Sequence, residues 1–180
     1  TLGPVYGKQW RDFNGVDQIK NLVYSINTNP DSRRLMVSAW APHELDEMAL
    51  PPCHYAFQVY INNGVMDLMW QQRSADVFLG LPYDIAMYGL LLEMLAKGAG
   101  LKAGQLIGQL GDCHLYNNHL EQAKEYRDRP RRAMPQLELE SGINISSDKC
   151  VVPNYLNIPH KFEIKLNNYN PYAAIKAELS

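Results

Sequence analysis

Apolar residues recur every three to four positions in two long segments of the chain, which is the spacing of an amphipathic helix. One helix is predicted over residues 16–28 and another over residues 81–100, where Gly98 and Gly100 indicate its end. A third helix is predicted over residues 115–126, because the sequence RDRPRR that follows would break it. The apolar stripes of the first two helices are Val16, Ile19, Leu22, Val23 and Ile26, and Ile85, Tyr88, Leu91, Leu92 and Leu95.

Other segments are rich in β-branched and aromatic residues or alternate apolar and polar positions, as strands do. Strands are predicted within residues 35–40, 55–61, 65–72, 136–140 and 162–180. Asn62-Asn63-Gly64 joins the second and third of them as a hairpin. Helices and strands alternate without a regular βαβ order, which predicts an α+β fold (α/β three-layer type) with a mixed β-sheet and helices packed on it. At about 150 residues per domain, the sequence predicts one domain, residues 1–180.

The composition excludes several classes of protein. A chain with 46% hydrophobic and 20% charged residues is neither disordered nor fibrous. Its 17 Lys and Arg against 19 Asp and Glu give a net charge of −2, so no overall basic field attracts nucleic acid. No apolar run approaches the ~20 residues of a membrane span, and no signal peptide opens the chain. The three cysteines, an odd number without a CxxC pair, favour a reducing, cytoplasmic setting.

Three short motifs that suggest chemistry have a simpler explanation. GAGLKAG follows a helix rather than a strand, so it is interpreted as a helix end and not as a phosphate loop. His114 and His119 are five residues apart, which misses the i,i+4 spacing of a helical metal pair, and no metal is expected. RDRPRR is short and lacks interleaved aromatic residues, so a solvated surface turn is favoured over a nucleic-acid site.

Cys53 lies between Pro52 and His54, directly before a predicted strand. A lone cysteine is more often a small buried residue than a nucleophile. Two kinds of neighbour favour chemistry here: Arg73 and Ser74 offer a guanidinium and a hydroxyl to a phosphate, and Arg33 and Arg34 form a second basic pair. An arginine beside a cysteine also favours the thiolate. The residues alone therefore indicate a nucleophilic cysteine that acts on an anionic substrate.

Taken together, five ordered motifs resemble the thymidylate synthase family, which includes the deoxycytidylate hydroxymethylases. The resemblance covers essentially the whole chain and implies the thymidylate synthase-like fold, a homodimer formed through the sheet. It also implies that a leading segment of the family's domain, and one final residue, are not among these residues. The motifs are GPVYGKQWR (3–11), PDSRR (30–34), MALPPCH (48–54), QRSADVFLGLP (72–82) and GDCHLYNNH (111–119).

For catalysis, the resemblance implies a covalent mechanism without a metal. Cys53 would add to C6 of a pyrimidine nucleotide 5′-monophosphate, and C5 would then attack the methylene carbon of 5,10-methylenetetrahydrofolate, the co-substrate. Tyr6 would lie near C5 in the proton-transfer network, and the resemblance also places His54 and Asp84 among the catalytic residues. The shared intermediate would give a hydroxymethyl group with water and a methyl group with hydride from the folate.

For binding, the resemblance implies that Arg73 and Ser74 hold the 5′-phosphate. Arg33 and Arg34 would reach over from the other subunit, which makes an obligate homodimer the expected state. Beyond the phosphate, the implied substrate contacts include the sugar hydroxyl and the base. They are Gln72, Ala75, Asp76, Asp84, His114, Leu115 and Tyr116, with His114 and Tyr116 on the sugar. The implied folate contacts are Asp76, Gly80 and Ser180.

Asp84 departs from the thymidylate synthases, which have Asn at this position of the motif LPYDIAMY. An Asn amide matches O4 and N3–H of uracil, whereas a carboxyl can pair with N3 and the 4-amino group of cytosine. Deoxycytidylate hydroxymethylases are similar in having Asp here. The alternative is that Asp84 is the N-cap of a helix over residues 85–97.

Three hypotheses follow. The first is a one-carbon transferase that converts dCMP to 5-hydroxymethyl-dCMP, in the cytoplasm of a host if the gene belongs to a phage, with no membrane and no nucleic acid required. The second is a thymidylate synthase that converts dUMP to dTMP. The third is a catalytically silent module that binds nucleotides or RNA, against which the intact Cys53, Arg73 and Tyr6 argue.

Overall fold

The computed structural model describes residues 1–139 and 164–179. Four strands form one sheet in the order β1-β2-β3-β4, in which β1, β2 and β3 are antiparallel neighbours and β4 runs parallel to β3. A separate antiparallel pair, β5 and β6, follows later in the chain. The strands are β1 (Met36–Ser38), β2 (His54–Asn62), β3 (Val65–Asp76), β4 (Lys102–His114), β5 (Gln136–Leu139) and β6 (Ile164–Asn167).

Helices α2 and α3 cover one face of this mixed sheet. Ile19, Val23 and Ile26 of α2 join Tyr88 and Leu92 of α3 in a single buried cluster with the inward side chains of β1, β2 and β3. The α+β fold with a mixed sheet and packed helices is therefore confirmed. The helices are α1 (Gly7–Arg11), α2 (Gln18–Thr28), α3 (Gly80–Gly98) and α4 (Leu120–Asp128), and single 3-10 turns cover Leu45–Glu47 and Asn117–His119. No helix in the described ranges is long and apolar enough to cross a membrane.

The predicted turns are confirmed by backbone angles that only certain residues adopt easily. Asn63 and Gly64 have φ of 50° and 76°, the left-handed pair that joins β2 to β3 in a tight hairpin. Gly100, with φ of 69°, follows the end of α3, where the amide of Leu101 donates to the carbonyl of Ala96 at 2.8 Å. GAGLKAG is therefore the end of α3 and the beginning of β4.

Two sequence predictions need correction at β4 and α4. Residues 102–114 form a strand that the sequence did not predict, because three glycines interrupt its apolar pattern and glycine is rare in strands. The helix predicted from residue 115 begins at Leu120 instead, because Tyr116 is extended, with φ of −66° and ψ of 144°, and a 3-10 turn follows it. Strands predicted at 136–140 and in the tail are found at β5 and β6, and residue 140 and Cys150 lie outside the described residues.

The second face of the sheet is open to solvent at several large side chains. Side chains alternate along a strand, so the residues between the core positions of β1, β2, β3 and β4 point to this face. Met36, Tyr60 and Ile107 are 52%, 61% and 41% exposed on it. Gln58 pairs in register with Met36 on one side and Met69 on the other. The face is thus a mixture of large apolar and amide side chains.

Candidate active site

The chain connections bring the first residues of β2 and the last residues of β3 and β4 to one end of the sheet. His54 pairs in register with Gln72, and Asp76 pairs with His114. Three of the motifs identified in the sequence, around residues 53, 73 and 114, therefore meet although they are far apart in the chain. The helix α3 follows β3 directly and places Asp84 over the same end.

Cys53 is half-buried, and atoms on both sides fix the loop that carries it. Its amide donates to the hydroxyl of Tyr6 at 3.1 Å, and its carbonyl accepts from the amide of Arg73 at 2.9 Å. The Arg73 side chain donates from Nε to the Pro52 carbonyl and from Nη2 to the Pro51 carbonyl, both at 2.9 Å. A guanidinium has five N–H donors, so three of those on Arg73 remain for an anion next to Cys53.

Tyr6 and His54 stack directly beside Cys53, with ring centroids 4.3 Å apart and planes at 22°. Tyr6 precedes α1 with φ of 36°, a left-handed backbone conformation that aims its ring at the site. Burial raises the pKa of Tyr6 above its usual value. Burial lowers the pKa of His54, and the charge of Asp84 opposes this only in part, so His54 is a neutral imidazole. Its Nδ1 lies 2.9 Å from the hydroxyl of Tyr88.

Asp84 lies inside α3 and its carboxylate takes part in a polar cluster. Oδ2 accepts from Nε2 of Gln72 at 2.8 Å, and Oδ1 lies 3.8 Å from Nε2 of His54, too far for a direct hydrogen bond. The helix begins at Gly80, so the alternative of Asp84 as an N-cap is wrong. Oδ1 of Asp76 accepts from the amides of Phe78 and Leu79 at 3.0 and 3.2 Å, in the turn that precedes the helix.

The residues assigned to the phosphate by resemblance fall into two groups. Arg73 and Ser74 lie at the end of β3 beside Cys53, whereas Ala75 next to them has no exposed surface. Arg33 and Arg34 are exposed before β1, where the carbonyl of Leu35 accepts from the amide of Val59 at 2.7 Å.

The contact between Leu35 and Val59 places the basic pair Arg33 and Arg34 next to the far part of β2. Val59 is six residues after Cys53, so at about 3.3 Å per residue the pair lies roughly 20 Å from Cys53. Within one chain, therefore, the structure does not bring this pair to the cysteine. The other predicted contacts that belong to the described residues lie at the same end of the sheet as Cys53.

The rings of His114 and Tyr116 meet edge to face at 5.0 Å, and Leu115 between them is half-buried. Nδ1 of His114 lies 3.5 Å from a carboxylate oxygen of Asp112. Gly80 begins α3 beside Asp76, and Ser180 lies outside the described residues. Across residues 1–139 and 164–179, no three His, Cys, Asp or Glu side chains converge as a metal ion would require.

Two residues that the sequence analysis treated as structural contact the polar cluster. Tyr88, assigned to the helix core, bonds to His54, and the indole N–H of Trp70 donates to Oε1 of Gln72 at 3.0 Å. Spacing could have identified both. Tyr88 is four residues after Asp84 on one helix face, and Trp70 is two residues before Gln72 on one strand face.

RDRPRR is an exposed segment apart from the half-buried Arg129, as predicted for a surface turn, but two of its arginines also make contacts within the chain. Arg132 donates to the carbonyls of Asn170 and Pro171 at 2.7 and 2.8 Å and lies over the Tyr172 ring at 3.6 Å. Arg129 donates to the carbonyl of Ala173 at 2.8 Å. These side chains hold residues 170–173 against the body of the protein.

Comparison with known proteins gives one consistent result. The family model described as thymidylate synthase matches residues 1–180. The probable thymidylate synthase of Escherichia phage T5 is 47% identical over 100% of this chain and 63% of its own length. The thymidylate synthase of Mycoplasma pneumoniae is 45% identical over 100% of this chain and 59% of its own length.

Among solved structures, the crystal structure of thymidylate synthase from phage T4 superposes with a TM-score of 0.82 at 41% identity. It covers 99% of this chain and 63% of that chain. The chain thus spans about three fifths of the length of the proteins that it matches.

Proposed function

The chain belongs to the thymidylate synthase family, and from that premise we propose that its protein transfers one carbon from 5,10-methylenetetrahydrofolate to C5 of a pyrimidine deoxynucleotide 5′-monophosphate. The first candidate reaction is the methylation of dUMP to dTMP, in line with the names of its relatives. One observation carries the proposal: Cys53 lies in a fixed loop next to the free guanidinium donors of Arg73 and the ring of His54.

In this proposal, the thiolate of Cys53 attacks C6 of the base, and the C5–C6 electron pair moves towards C5 and O4. This gives C5 the electron density that it needs to form a bond to carbon. The cationic Arg73 is fixed next to the loop that carries this sulfur. Its three remaining N–H donors and the hydroxyl of Ser74 bind the phosphate, which fixes C6 near the sulfur. The last step expels Cys53 when the C5–C6 double bond is formed again.

The folate, when bound, supplies the methylene carbon and, for a methyl product, the hydride. The start of α3 fits such a flat aromatic molecule. Gly80 has no side chain there, and Tyr83 presents a ring that is 78% exposed. Asp76 adds a carboxylate whose Oδ1 is fixed by two backbone amides. Tyr6, with its hydroxyl on the Cys53 amide, is placed to hold a proton close to C5.

A second candidate, hydroxymethylation of dCMP, is favoured by the position of Asp84. It lies inside α3 and is not a helix cap, and because Oδ2 accepts from Gln72, Oδ1 is left for a base in this proposal. An acceptor oxygen can bind the 4-amino group of cytosine, and it can also bind N3–H of uracil. The carboxyl therefore supports cytosine as a substrate more than the Asn of other family members would.

We also propose that the protein acts as a homodimer through the open face of the sheet, with residues 1–180 in one domain. Arg33 and Arg34 support this, because they lie roughly 20 Å from Cys53 along β2 and are exposed beside that face. A partner that packs on Met36, Tyr60 and Ile107 would bury their apolar side chains. It would also bring its own arginine pair towards the first chain.

The test is to incubate the protein with methylenetetrahydrofolate and either dUMP or dCMP, and to identify the products by mass. Turnover of dUMP to dTMP supports the first candidate, and 5-hydroxymethyl-dCMP supports the second. Asp84→Asn should move kcat/KM towards dUMP by about tenfold or more, since one specific polar contact to a base is worth about 1–3 kcal/mol. An unchanged base preference would show that Asp84 does not read the base. Turnover of neither nucleotide would contradict the proposal.

A further inference from the structure

Behind the predicted base-binding carboxyl, Trp70 and Tyr88 form a stacked pair. Their ring centroids are 5.4 Å apart and their planes are at 12°. Both residues are buried, at 4% and 1% exposure. Each of them also forms a hydrogen bond through the one polar atom of its side chain, and the partner in each case is a residue that faces Asp84. The indole N–H of Trp70 donates to Oε1 of Gln72, and the hydroxyl of Tyr88 contacts Nδ1 of His54.

The contact from Trp70 fixes which end of the Gln72 amide faces Asp84. Because Oε1 accepts from the indole, Nε2 is the end that remains for other partners, and it donates to Asp84 Oδ2 and to the Ser74 carbonyl. Gln72 is 3% exposed, so water does not replace a missing donor easily. A glycine on the neighbouring strand leaves space for this indole. A side chain at Gly108 of β4 would place its Cβ 2.6 Å from the Trp70 ring.

The contact from Tyr88 acts on His54 in a similar way. A neutral imidazole carries one proton, and the carboxylate of Asp84 facing Nε2 favours the proton on that nitrogen. Nδ1 is then an acceptor, and the Tyr88 hydroxyl donates to it at 2.9 Å. Gln72 and His54 thus turn N–H groups towards the two oxygens of Asp84, and Oδ1, without a direct bond at 3.8 Å, is the oxygen left for a base.

We infer that Trp70 and Tyr88 are positioning residues for base specificity: they hold the donors that keep Asp84 in a single orientation, as an acceptor. This deepens and rests on the proposed function, because it concerns the same pyrimidine site. A carboxyl without these donors can rotate, and its acceptor oxygens can then meet either N3–H of uracil or the 4-amino group of cytosine. Loss of either contact should therefore weaken discrimination, whichever base the protein prefers.

The test compares Trp70→Phe and Tyr88→Phe, which keep the rings and remove only the polar atoms. The measured quantity is the ratio of kcat/KM for the preferred base to that for the other base. We expect this ratio to fall about fivefold or more in each variant, as for the loss of one buried hydrogen bond. The matched control is Trp10→Phe, since Trp10 packs at 6.5 Å from the same Tyr88 ring but has no hydrogen bond to Gln72 or Asp84 in the described part of the chain. Its ratio should stay within about twofold of the unmodified protein, as for a substitution outside such a contact.

A double-mutant cycle separates positioning from general damage. In an Asp84→Ala background the same substitutions have no carboxyl to position, so they should leave the ratio unchanged. An unchanged ratio for Trp70→Phe and Tyr88→Phe, or an equal fall for Trp10→Phe, overturns the inference. If the unmodified protein turns over neither nucleotide, the proposed function fails separately. The ratio of the two nucleotide Kd values, measured by calorimetry with the same variants, then tests the positioning alone.

Discussion

At the scale of single residues, His54 is the group whose surroundings are most specific. Three side chains from two parts of the chain surround its ring: Tyr6, directly before α1, stacks on it, while α3 provides both Tyr88, which bonds to Nδ1, and Asp84, which faces Nε2. Burial lowers the pKa of His54, because a buried charge loses its hydration. His54 is consequently a neutral part of the site at neutral pH.

This lowered pKa predicts a pH dependence of folding stability. Between the lowered pKa of folded His54 and the ordinary value of 6.5 in the unfolded chain, the unfolded state binds more protons. The free energy of unfolding therefore rises with pH across this window, and the contribution of His54 is lost as the pH falls through it. We expect His54→Gln, which cannot be protonated, to show a weaker loss from about pH 7.5 to about pH 5.5 in urea unfolding. An equal loss in both proteins would contradict the buried, neutral state.

At the scale of elements, β4 shows how packing replaces a missing sequence signal. Its glycines lie where neighbouring atoms leave no space: a Cβ at Gly108 would meet the Trp70 ring at 2.6 Å, and one at Gly111 would meet the Arg73 carbonyl at 2.8 Å. The strand forms because β3 offers its free edge and because these glycines let β4 come close to it. Its glycines give the segment a low strand propensity, so the sequence did not predict a strand. The same glycines are nevertheless required for β4 to pack next to β3.

We therefore predict that Gly108→Ala lowers the free energy of unfolding by about 1–3 kcal/mol through overpacking against Trp70. The control is Gly89→Ala in α3, where the added Cβ would lie at an ordinary 3.8 Å from Leu106. Alanine is the better helix former, so this variant should gain about 0.5–1 kcal/mol. Urea titrations of both variants measure the difference. Equal stabilities for the two variants would show that Trp70 does not fill the space over Gly108.

The elements that could be predicted from the sequence are those with strong local signals. The α2 stripe, the α3 stripe and the turn at Asn63-Gly64 each depend on residues close together in the chain, and each is found. The start of α4 was misplaced because the apolar Leu115 and Tyr116 fit a helix locally, yet they are extended beside the cluster of motifs. Spacing places Trp70 on the strand face of Gln72 and Tyr88 on the helix face of Asp84, but the bond from Tyr88 to His54 could not be predicted, since it depends on how α3 packs against the sheet.

At the scale of the whole molecule, the position of the basic pair Arg33 and Arg34 makes the proposed homodimer testable. These side chains are exposed next to the open face of the sheet, while Cys53 and Arg73 lie at one end of it. If two chains pack through this face, each site combines the cysteine of one chain with the arginines of the other. Activity should then depend on a mixed set of residues, which mixing of inactive variants can reveal.

We predict that Cys53→Ser and the double variant Arg33→Ala/Arg34→Ala, each nearly inactive, regain activity when they are mixed, unfolded and refolded together. A mixed dimer has one site with an intact Cys53 and intact arginines, and one site without either. Each mixed dimer should therefore have about half the activity of the unmodified dimer, if the two sites act independently. Steady-state rates of the mixture measure this. Activity no higher than the sum of the separate variants would place the arginines in the site of their own chain.

The proposed addition of Cys53 to C6 of a pyrimidine nucleotide predicts a stable covalent adduct with 5-fluoro-dUMP in the presence of methylenetetrahydrofolate. Fluorine at C5 cannot leave as a proton does, so the chain should keep the nucleotide covalently bound. Mass spectrometry of the digested protein should locate the added mass on the peptide that contains Cys53. The adduct should be absent in Cys53→Ser and present in Cys113→Ser, whose sulfur is exposed on β4. No adduct with either 5-fluoro-dUMP or 5-fluoro-dCMP, or an adduct that survives Cys53→Ser, would contradict the claim.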